Sequence, residues 1–274
     1  MKKVVKFGGS SLASASQFEK VGAIIREDES RKYVVPSAPG KRFSSDTKVT
    51  DLLYACYRSV GDEEKFQKIL KEIKERYQEI IDGLHLSLSL EEDFSLVEEN
   101  FKKQIGEEYA ASRGEYLNGK IMAAYLGFTF VDPAEMIRFD GNGKFDGEIT
   151  EKLVAKKLGN LVCSVVPGFY GAMQDGTIKT FSRGGSDITG SIVAGAIDAD
   201  LYENWTDVSG FLVTDPRIID NPKPIDTITY RELRELSYMG ATVLHEDAIF
   251  PVRKAGIPIN ICLLYTSPSP RDCS

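Results

Sequence analysis

The segment KKVVKFGGSS, residues 2–11, decides the fold class. Its first six residues form a short apolar-rich run that predicts a strand, and its last four predict a tight loop. Apolar residues with helical spacing follow at positions 18–25, and Tyr33–Val35 predicts a second strand that ends in the small-residue loop Ser37–Gly40. Strand, glycine-rich loop, helix and strand in this order predict an α/β fold with a parallel sheet.

The next part of the chain is predicted to be largely helical, from about residue 62 to residue 126. One apolar stripe with charges opposite carries this prediction, and it comprises Phe66, Ile69, Leu70, Ile73, Tyr77, Ile80 and Ile81. Such a stripe is typical of a packing face, so these helices either cover the sheet or form a lid over it. Ser16 and Glu19 have the spacing of a capping box for the first helix.

Strand character returns further along the chain. The predicted strands are Phe128–Val131, Leu161–Val166 (as a buried central strand), Asp200–Trp205 and Ile257–Ile261. The predicted helices are Ile188–Ile197, Tyr230–Met239 and Val243–Lys254. Residues 262–274 lack periodicity and carry two closely spaced prolines, so we expect them to be a non-native tail outside the fold.

Composition excludes several function classes. The 274 residues carry a net charge of −7 without a basic stripe, which argues against nucleic-acid binding. No apolar run approaches the roughly 20 residues of a membrane span, and the N-terminal segment is too short for a signal peptide. The four cysteines and two histidines show no metal or disulfide spacing, which favours a reducing cytoplasm and no metal site.

The KFGGSS motif suits phosphate binding. Gly8 and Gly9 let backbone amides approach an anion, the following helix N-terminus adds partial positive charge, and Lys6 can place an ammonium beside the phosphates. A tight turn with an exposed lysine explains the same letters about equally well. The spacing is not that of a Walker A loop.

Two further motifs place an arginine beside glycine. In Ser182–Asp187 (SRGGSD), the arginine can bind a carboxylate bidentately and the aspartate can hold a cation, whereas the plainer alternative is an Asp N-cap with a solvated arginine. In Ser112–Glu115 (SRGE), the glycine costs about 1 kcal/mol inside a helix, which indicates close packing or ligand approach. A charged helix surface is the alternative there.

The last pair of motifs is Trp205–Val208 (WTDV) and Thr214–Arg217 (TDPR). A Thr-Asp pair at a strand end can bond ribose hydroxyls, and an arginine can meet phosphate. A capped hairpin-like turn is the alternative for either motif alone.

The five motifs occur in the order and spacing of the aspartokinases, and Met1–Ile261 resembles that family within the amino-acid kinase fold group. The resemblance implies a three-layer α/β sandwich with a mostly parallel central sheet and a helical insert or lid, in one catalytic domain over residues 1–261. It implies a cytoplasmic enzyme, and a possible homodimer, that transfers the γ-phosphoryl of Mg-ATP to the β-carboxylate of L-aspartate. The product, 4-phospho-L-aspartate, opens the route to lysine, threonine and methionine.

The resemblance also assigns residues to roles. It implies catalytic Lys6 and Asp187, aspartate-binding Thr50, Glu115 and Arg183, and nucleotide-binding Gly8, Gly9, Ser10, Ser37, Gly40, Thr206, Asp207 and Arg217. No general base is expected, because the acceptor carboxylate is already nucleophilic at neutral pH.

The chain departs from the family pattern at several places. Thr242 stands where many aspartokinases have a lysine, and Leu212 where a tyrosine is usual. Residues 41–48 form an insertion whose own cations are expected to compensate, and the family's regulatory ACT domains are absent from the sequence. The alternatives are a kinase of the same fold acting on glutamate, acetylglutamate, carbamate or a nucleoside monophosphate, and a chain that binds nucleotide without turnover.

Overall fold

A computed structural model describes residues 1–182, 184–206 and 246–264. Its central sheet has six strands in the order β3-β5-β2-β1-β8-β9, and every recorded strand pair in it is parallel. These strands are β1 (Lys3–Phe7), β2 (Arg31–Pro36), β3 (Thr129–Phe130), β5 (Ser164–Val165), β8 (Leu201–Thr206) and β9 (Ile259–Leu263). The predicted parallel α/β fold is confirmed.

Helices cover both faces of this sheet. They are α1 (Ala15–Glu27), α2 (Val49–Arg58), α3 (Glu63–Gly83), α4 (Glu91–Lys102), α5 (Glu107–Leu126), α6 (Gly147–Leu158), α7 (Gly185–Ala196) and α8 (Glu246–Ala255). Because successive strand residues point to opposite faces, Val5 belongs to a core with α1–α5, while Val4 belongs to a second core with α6–α8. The three-layer arrangement is therefore present.

The helical block between residues 62 and 126 is one of these layers. In α5, Gly119 packs closely against Pro167, which follows strand β5. A Cβ on this glycine would lie 2.5 Å from the Pro167 side chain. The apolar stripe of α3 is buried or half-buried in the same core, for example at Phe66 and Tyr77. Of the two expected arrangements, the helices cover the sheet.

A smaller sheet lies beside the main one. It has the order β4-β6-β7, with β4 (Arg138–Phe139) parallel to β6 (Tyr170–Met173), and β7 (Ile178–Thr180) antiparallel to β6. Arg138 donates hydrogen bonds to the carbonyls of Ala134 and Glu135, which fixes the turn before β4.

Several predicted boundaries are wrong. The strand expected at Leu161–Val166 is only Ser164–Val165, and it lies one strand from the sheet edge because only β3 is outside it. The first helix begins at Ala15 with Ser14 as N-cap, and no side-chain cap bond forms, so the capping box of Ser16 and Glu19 is wrong.

The last strand extends beyond the expected domain boundary at residue 261. Strand β9 continues to Leu263, and the Cys262 side chain is 1% exposed. Residues 265–274 and the predicted helix Tyr230–Met239 lie outside the described residues. Among the described helices, none combines the length and the apolar character that a bilayer crossing requires.

Candidate active site

The site lies at the carboxyl edge of the central sheet. Strands β1, β2 and β8 are adjacent and parallel, so their ends open at the same edge, where ligands bind in open α/β sheets. Backbone hydrogen bonds join these ends: the Ser37 amide donates to the Phe7 carbonyl at 3.1 Å, and the Gly8 amide donates to the Trp205 carbonyl at 3.4 Å.

Lys6 is buried at this edge in an ionic contact. Its side chain points to the α7 side of the sheet, where Nζ lies 2.7 Å from Asp187 Oδ1 and 3.3 Å from Asn204 Oδ1. Asn204 Nδ2 donates to the same Asp187 oxygen at 2.8 Å. Lys6 as a whole is 8% exposed, so the alternative of a turn with an exposed lysine is wrong.

Asp187 lies in the first turn of α7. The N-cap of that helix is Gly184, with φ +57°, and Asp187 follows three positions later. The Asp N-cap alternative is therefore wrong, and the carboxylate instead holds Lys6 in place. A carboxylate in the first turn is also stabilised by the partial positive charge of the helix N-terminus.

The glycines of the two loops allow backbone to pack against backbone. The Gly40 amide donates to the Gly9 carbonyl at 2.7 Å, and a Cβ on Gly9 would lie 2.7 Å from the Ala38 carbonyl oxygen. The Gly40 amide is thus already bonded, so an amide contact from Gly40 to phosphate is not available in this arrangement. We find no acceptor for the Gly9 and Ser10 amides within the described part of the chain.

Glu115 is a buried carboxyl group with an unsatisfied oxygen. The residue is 6% exposed, and Oε2 has no hydrogen-bond partner among the described residues. Burial raises the pKa of Glu115 to about 8, although the Ala38 amide and the Arg113 guanidinium act in the opposite direction. A cation entering beside Glu115 would satisfy this oxygen and stabilise its ionised form.

The glycine of the SRGE motif explains how α5 reaches this position. A Cβ on Gly114 would lie 2.8 Å from the Ala38 Cβ, so the glycine permits the helix to approach the loop after β2. Arg113, like Glu115, is 6% exposed, and its guanidinium lies over the rings of Tyr109 and Tyr116. The alternative of a charged helix surface is wrong.

A cavity of about 570 Å³ lies beside the two glycine loops and Glu115. Its lining consists of Gly8, Gly9, Ser10, Ala38, Pro39, Gly40, Lys41, Phe43, Ser44, Lys48, Thr50 and Glu115. The two glycine loops, two lysines and a buried carboxyl residue therefore line one space, whereas Lys6 and Asp187 are not among the lining residues. A volume of this order is typical of small-molecule sites.

The remaining predicted site residues support the loop, end a strand at this edge or lie outside the described residues. Ser37 donates its amide to Phe7, and its carbonyl accepts from Asn118 Nδ2 at 2.7 Å, so it supports the loop through its backbone. Thr206 ends β8 at the same sheet edge. Five residues of interest lie outside the described residues, namely Arg183, Asp207, Leu212, Arg217 and Thr242.

Sequence reasoning missed Asn204 and Asn118. Asn204 is 3% exposed and contacts both members of the Lys6–Asp187 pair, and Asn118 is fully buried beneath the loop after β2. A polar residue inside an otherwise buried strand or helix signals a required hydrogen bond. The Glu203-Asn204 pair in the predicted strand Asp200–Trp205 carried that signal.

The described residues contain no group of three or more His, Cys, Asp or Glu side chains arranged to hold a metal ion.

Comparison with known proteins gives consistent matches. Aspartokinase 3 of Bacillus subtilis is 42% identical over 277 residues, which cover 94% of this chain and 60% of the relative. Clostridium acetobutylicum aspartate kinase matches with a TM-score of 0.92 and 52% identity over 99% of this chain and 61% of that one. Escherichia coli aspartokinase III in complex with aspartate and ADP matches with a TM-score of 0.82 and 25% identity, over 97% and 62% of the two chains.

The chain thus spans about three fifths of the length of these relatives. The family model of the amino acid kinase family matches residues 1–262, which include every residue that lines the cavity. On this match the chain belongs to the amino acid kinase family.

Proposed function

We propose that the chain catalyses phosphorylation of the β-carboxylate of L-aspartate by Mg-ATP, the first step towards lysine, threonine and methionine. The observation that carries the proposal is that one cavity is lined by Gly9, Ser10 and Glu115. The two amides can donate to phosphate, and the carboxyl group can bind an ammonium. The similarity to the aspartate- and ADP-bound relative supports the choice of substrates.

The acceptor would be held by its charged ends. Glu115 would bind the aspartate ammonium, with Thr50 beside it in the cavity. Arg183 would bind the α-carboxylate through its guanidinium fork. The β-carboxylate would then face the phosphates already ionised, because its pKa of about 3.9 lies far below neutral pH.

The donor phosphates would lie against the glycine loop. The Gly9 and Ser10 amides would donate to phosphate oxygens, and Lys6 would neutralise charge on the transferred phosphoryl group. Gly8, Ser37 and Gly40 would support this loop through their backbone bonds. Thr206, Asp207 and Arg217 would hold the rest of the nucleotide, and Mg²⁺ would enter bound to it.

In the reaction, a β-carboxylate oxygen forms a bond to Pγ while the bond from Pγ to the bridging oxygen breaks. ADP leaves with the electron pair. Phosphoryl transfer requires alignment and charge dispersal rather than covalent help from the protein. Lys6, held by Asp187 at 2.7 Å, is in a position to supply fixed positive charge at this edge.

Trapping of the acyl phosphate with hydroxylamine tests the proposal. Aspartate with Mg-ATP should give aspartyl hydroxamate, whereas glutamate, acetylglutamate, carbamate and UMP in parallel reactions with ADP detection should give background rates. A preference for one of those acceptors would assign the chain to another kinase of this fold. Stabilisation by Mg-ATP in a thermal-shift assay without any hydroxamate would indicate nucleotide binding without turnover.

We also propose one catalytic domain over the family-matched residues, a cytoplasmic location and a homodimer. The family resemblance supports these three statements. Light scattering of the purified chain tests the dimer directly.

A further inference from the structure

The loop between β2 and α2 has an unusual internal support. We call residues Gly40–Lys48 the 40–48 loop. Four of its side chains, Lys41, Phe43, Ser44 and Lys48, line the cavity described above. Most of this loop is exposed to solvent, so the position of these side chains depends on how its backbone is held.

A single buried arginine holds the loop near both ends. Arg76 lies on α3, and its side chain is 2% exposed. Its Nη2 donates to the Gly40 carbonyl at 2.9 Å, and its Nη1 donates to the Thr47 carbonyl at 3.0 Å. A planar guanidinium can make both contacts at once because its donors have a fixed fork geometry.

A carboxylate within the loop completes this support. Asp46 Oδ2 lies 3.1 Å from Arg76 Nη1 and accepts from the Arg42 backbone amide at 2.9 Å. Arg42 also reaches Asp46 through Nε at 3.0 Å. Hydrogen bonding from Arg42, together with the Arg76 charge, holds the pKa of Asp46 well below its usual range. The buried charge of Arg76 is therefore paired, as a buried guanidinium requires.

The same support reaches the glycine loop of β1. Arg76 fixes the Gly40 carbonyl, and the amide of that residue donates to the Gly9 carbonyl at 2.7 Å. Arg76 is thus two hydrogen bonds away from the loop whose free amides face the cavity. Arg76 itself does not line the cavity, but Gly40, whose carbonyl it holds, does.

We propose that Arg76 is a positioning residue for this site. By fixing both ends of the 40–48 loop, it sets the spacing between the Lys41 and Lys48 ammonium groups and the Gly9–Ser10 amides. Its effect on substrate binding rests on the proposed function, whereas its effect on the loop does not.

Arg76→Lys tests the proposal because lysine keeps the positive charge but cannot hold two carbonyls and Asp46 together. Kcat/KM for Mg-ATP should fall about tenfold to 100-fold, mainly through KM, since displacement of about 1 Å can cost that much. Hydrogen exchange in the 40–48 loop should become faster in the free protein. Asp46→Asn should shift both readouts in the same direction, and it replaces Arg76→Lys if that variant does not fold.

Arg138→Lys is the matched control, because Arg138 also donates to two backbone carbonyls but lies beside the smaller sheet. It should retain kcat/KM even where its thermal stability falls as much as that of Arg76→Lys. Unchanged exchange in the 40–48 loop of Arg76→Lys, or an unchanged kcat/KM, would overturn the proposal. If the wild-type chain makes no aspartyl hydroxamate, the proposed function fails, and the exchange measurement still decides the role of Arg76.

Discussion

The Lys6 ammonium lies 2.7 Å from the Asp187 carboxylate, and this contact joins the end of strand β1 to the first turn of α7. Both side chains are largely buried, and Asn204 bonds to each of them. The ammonium is therefore fixed before any ligand arrives. Under the proposed function, a charge fixed in advance where negative charge develops would stabilise the transition state without any reorganisation.

Lys6→Met should lower kcat about 100-fold or more, because it removes the fixed charge while keeping much of the side-chain volume. Lys3→Met is the control on the same strand, since Lys3 pairs with Asp28 and Glu203 away from the cavity. Hydroxamate formation at saturating substrate measures both. A Lys6→Met enzyme with a near-normal rate would place the transferred phosphoryl group elsewhere.

The apparent affinity for aspartate should depend on pH through Glu115. Its pKa of about 8 means that the carboxyl group is protonated in the free protein at neutral pH, yet an ammonium needs its ionised form. Below pH 8, KM for aspartate should rise about tenfold per pH unit as the pH falls. Initial rates from pH 6 to 8.5 check this, and Glu115→Gln should bind weakly with little dependence on pH. A flat wild-type profile would contradict the role of Glu115.

The protonation of Glu115 should also affect the free energy of unfolding of the ligand-free protein. Between the ordinary value of 4.5 and about 8, the folded protein binds the Glu115 proton and the unfolded chain does not. The free energy of unfolding should therefore fall as pH rises through this range, by up to about 1.4 kcal/mol per unit. Denaturant titrations of wild type and Glu115→Gln should diverge with pH in this direction.

Gly9→Ala should weaken nucleotide binding about tenfold or more, because its Cβ would meet the Ala38 carbonyl at 2.7 Å and push the two loops apart. Gly61→Ala is the matched control, since a Cβ there has nothing within 4 Å. Calorimetric titration with Mg-ADP compares the two variants. Equal affinities would show that the loop contact does not shape the phosphate site.

Arg183→Ala should abolish aspartate turnover and leave ATP binding nearly intact. Without the guanidinium, the α-carboxylate of aspartate has no bidentate partner, and this loss costs about 2–4 kcal/mol of binding. Binding of Mg-ATP by thermal shift and KM for aspartate separate the two effects. Unchanged aspartate affinity would contradict the assignment.

Truncation should locate the end of the fold. A chain ending at Leu264 keeps β9 and the buried Cys262, so it is the reference for a shorter one. A chain ending at Ile261 should lose about 2 kcal/mol, or roughly 4–8 °C in Tm. Equal melting temperatures for the two truncations would support the boundary at residue 261.

Sequence periodicity predicted most elements because their apolar faces are simple. The apolar stripe of α3 follows directly from helical geometry. The placement of Val4 and Val5 of β1 in the cores on opposite faces of the sheet follows from strand geometry. The boundary errors fall where tertiary contacts override local pattern. Leu161–Val166 is apolar throughout, but Val162 is 77% exposed, and the strand forms only where it pairs with its neighbours.

Lys6 and Glu115 could be singled out from the sequence because each stands in a motif with a rare residue combination, and both are buried. Support by Arg76 could not be located, because it acts through long-range contacts that no local spacing encodes. Asn204 was signalled only as a polar residue in a strand, and the sequence did not reveal that its partners are Lys6 and Asp187. Gly40 shows another limit of the sequence. A glycine in a loop indicates that something approaches closely, but the sequence does not reveal whether this is a ligand or, as for the Gly40 amide, another stretch of backbone.

Trp205, whose carbonyl accepts from the Gly8 amide, is the only tryptophan in the chain. Its ring is stacked on Phe7 at 5.9 Å between centroids and is 2% exposed. The protein therefore carries one indole, shielded from water and one hydrogen bond from the glycine loop. Emission excited selectively in the indole band, where tyrosine does not absorb, reports on the environment at this single position.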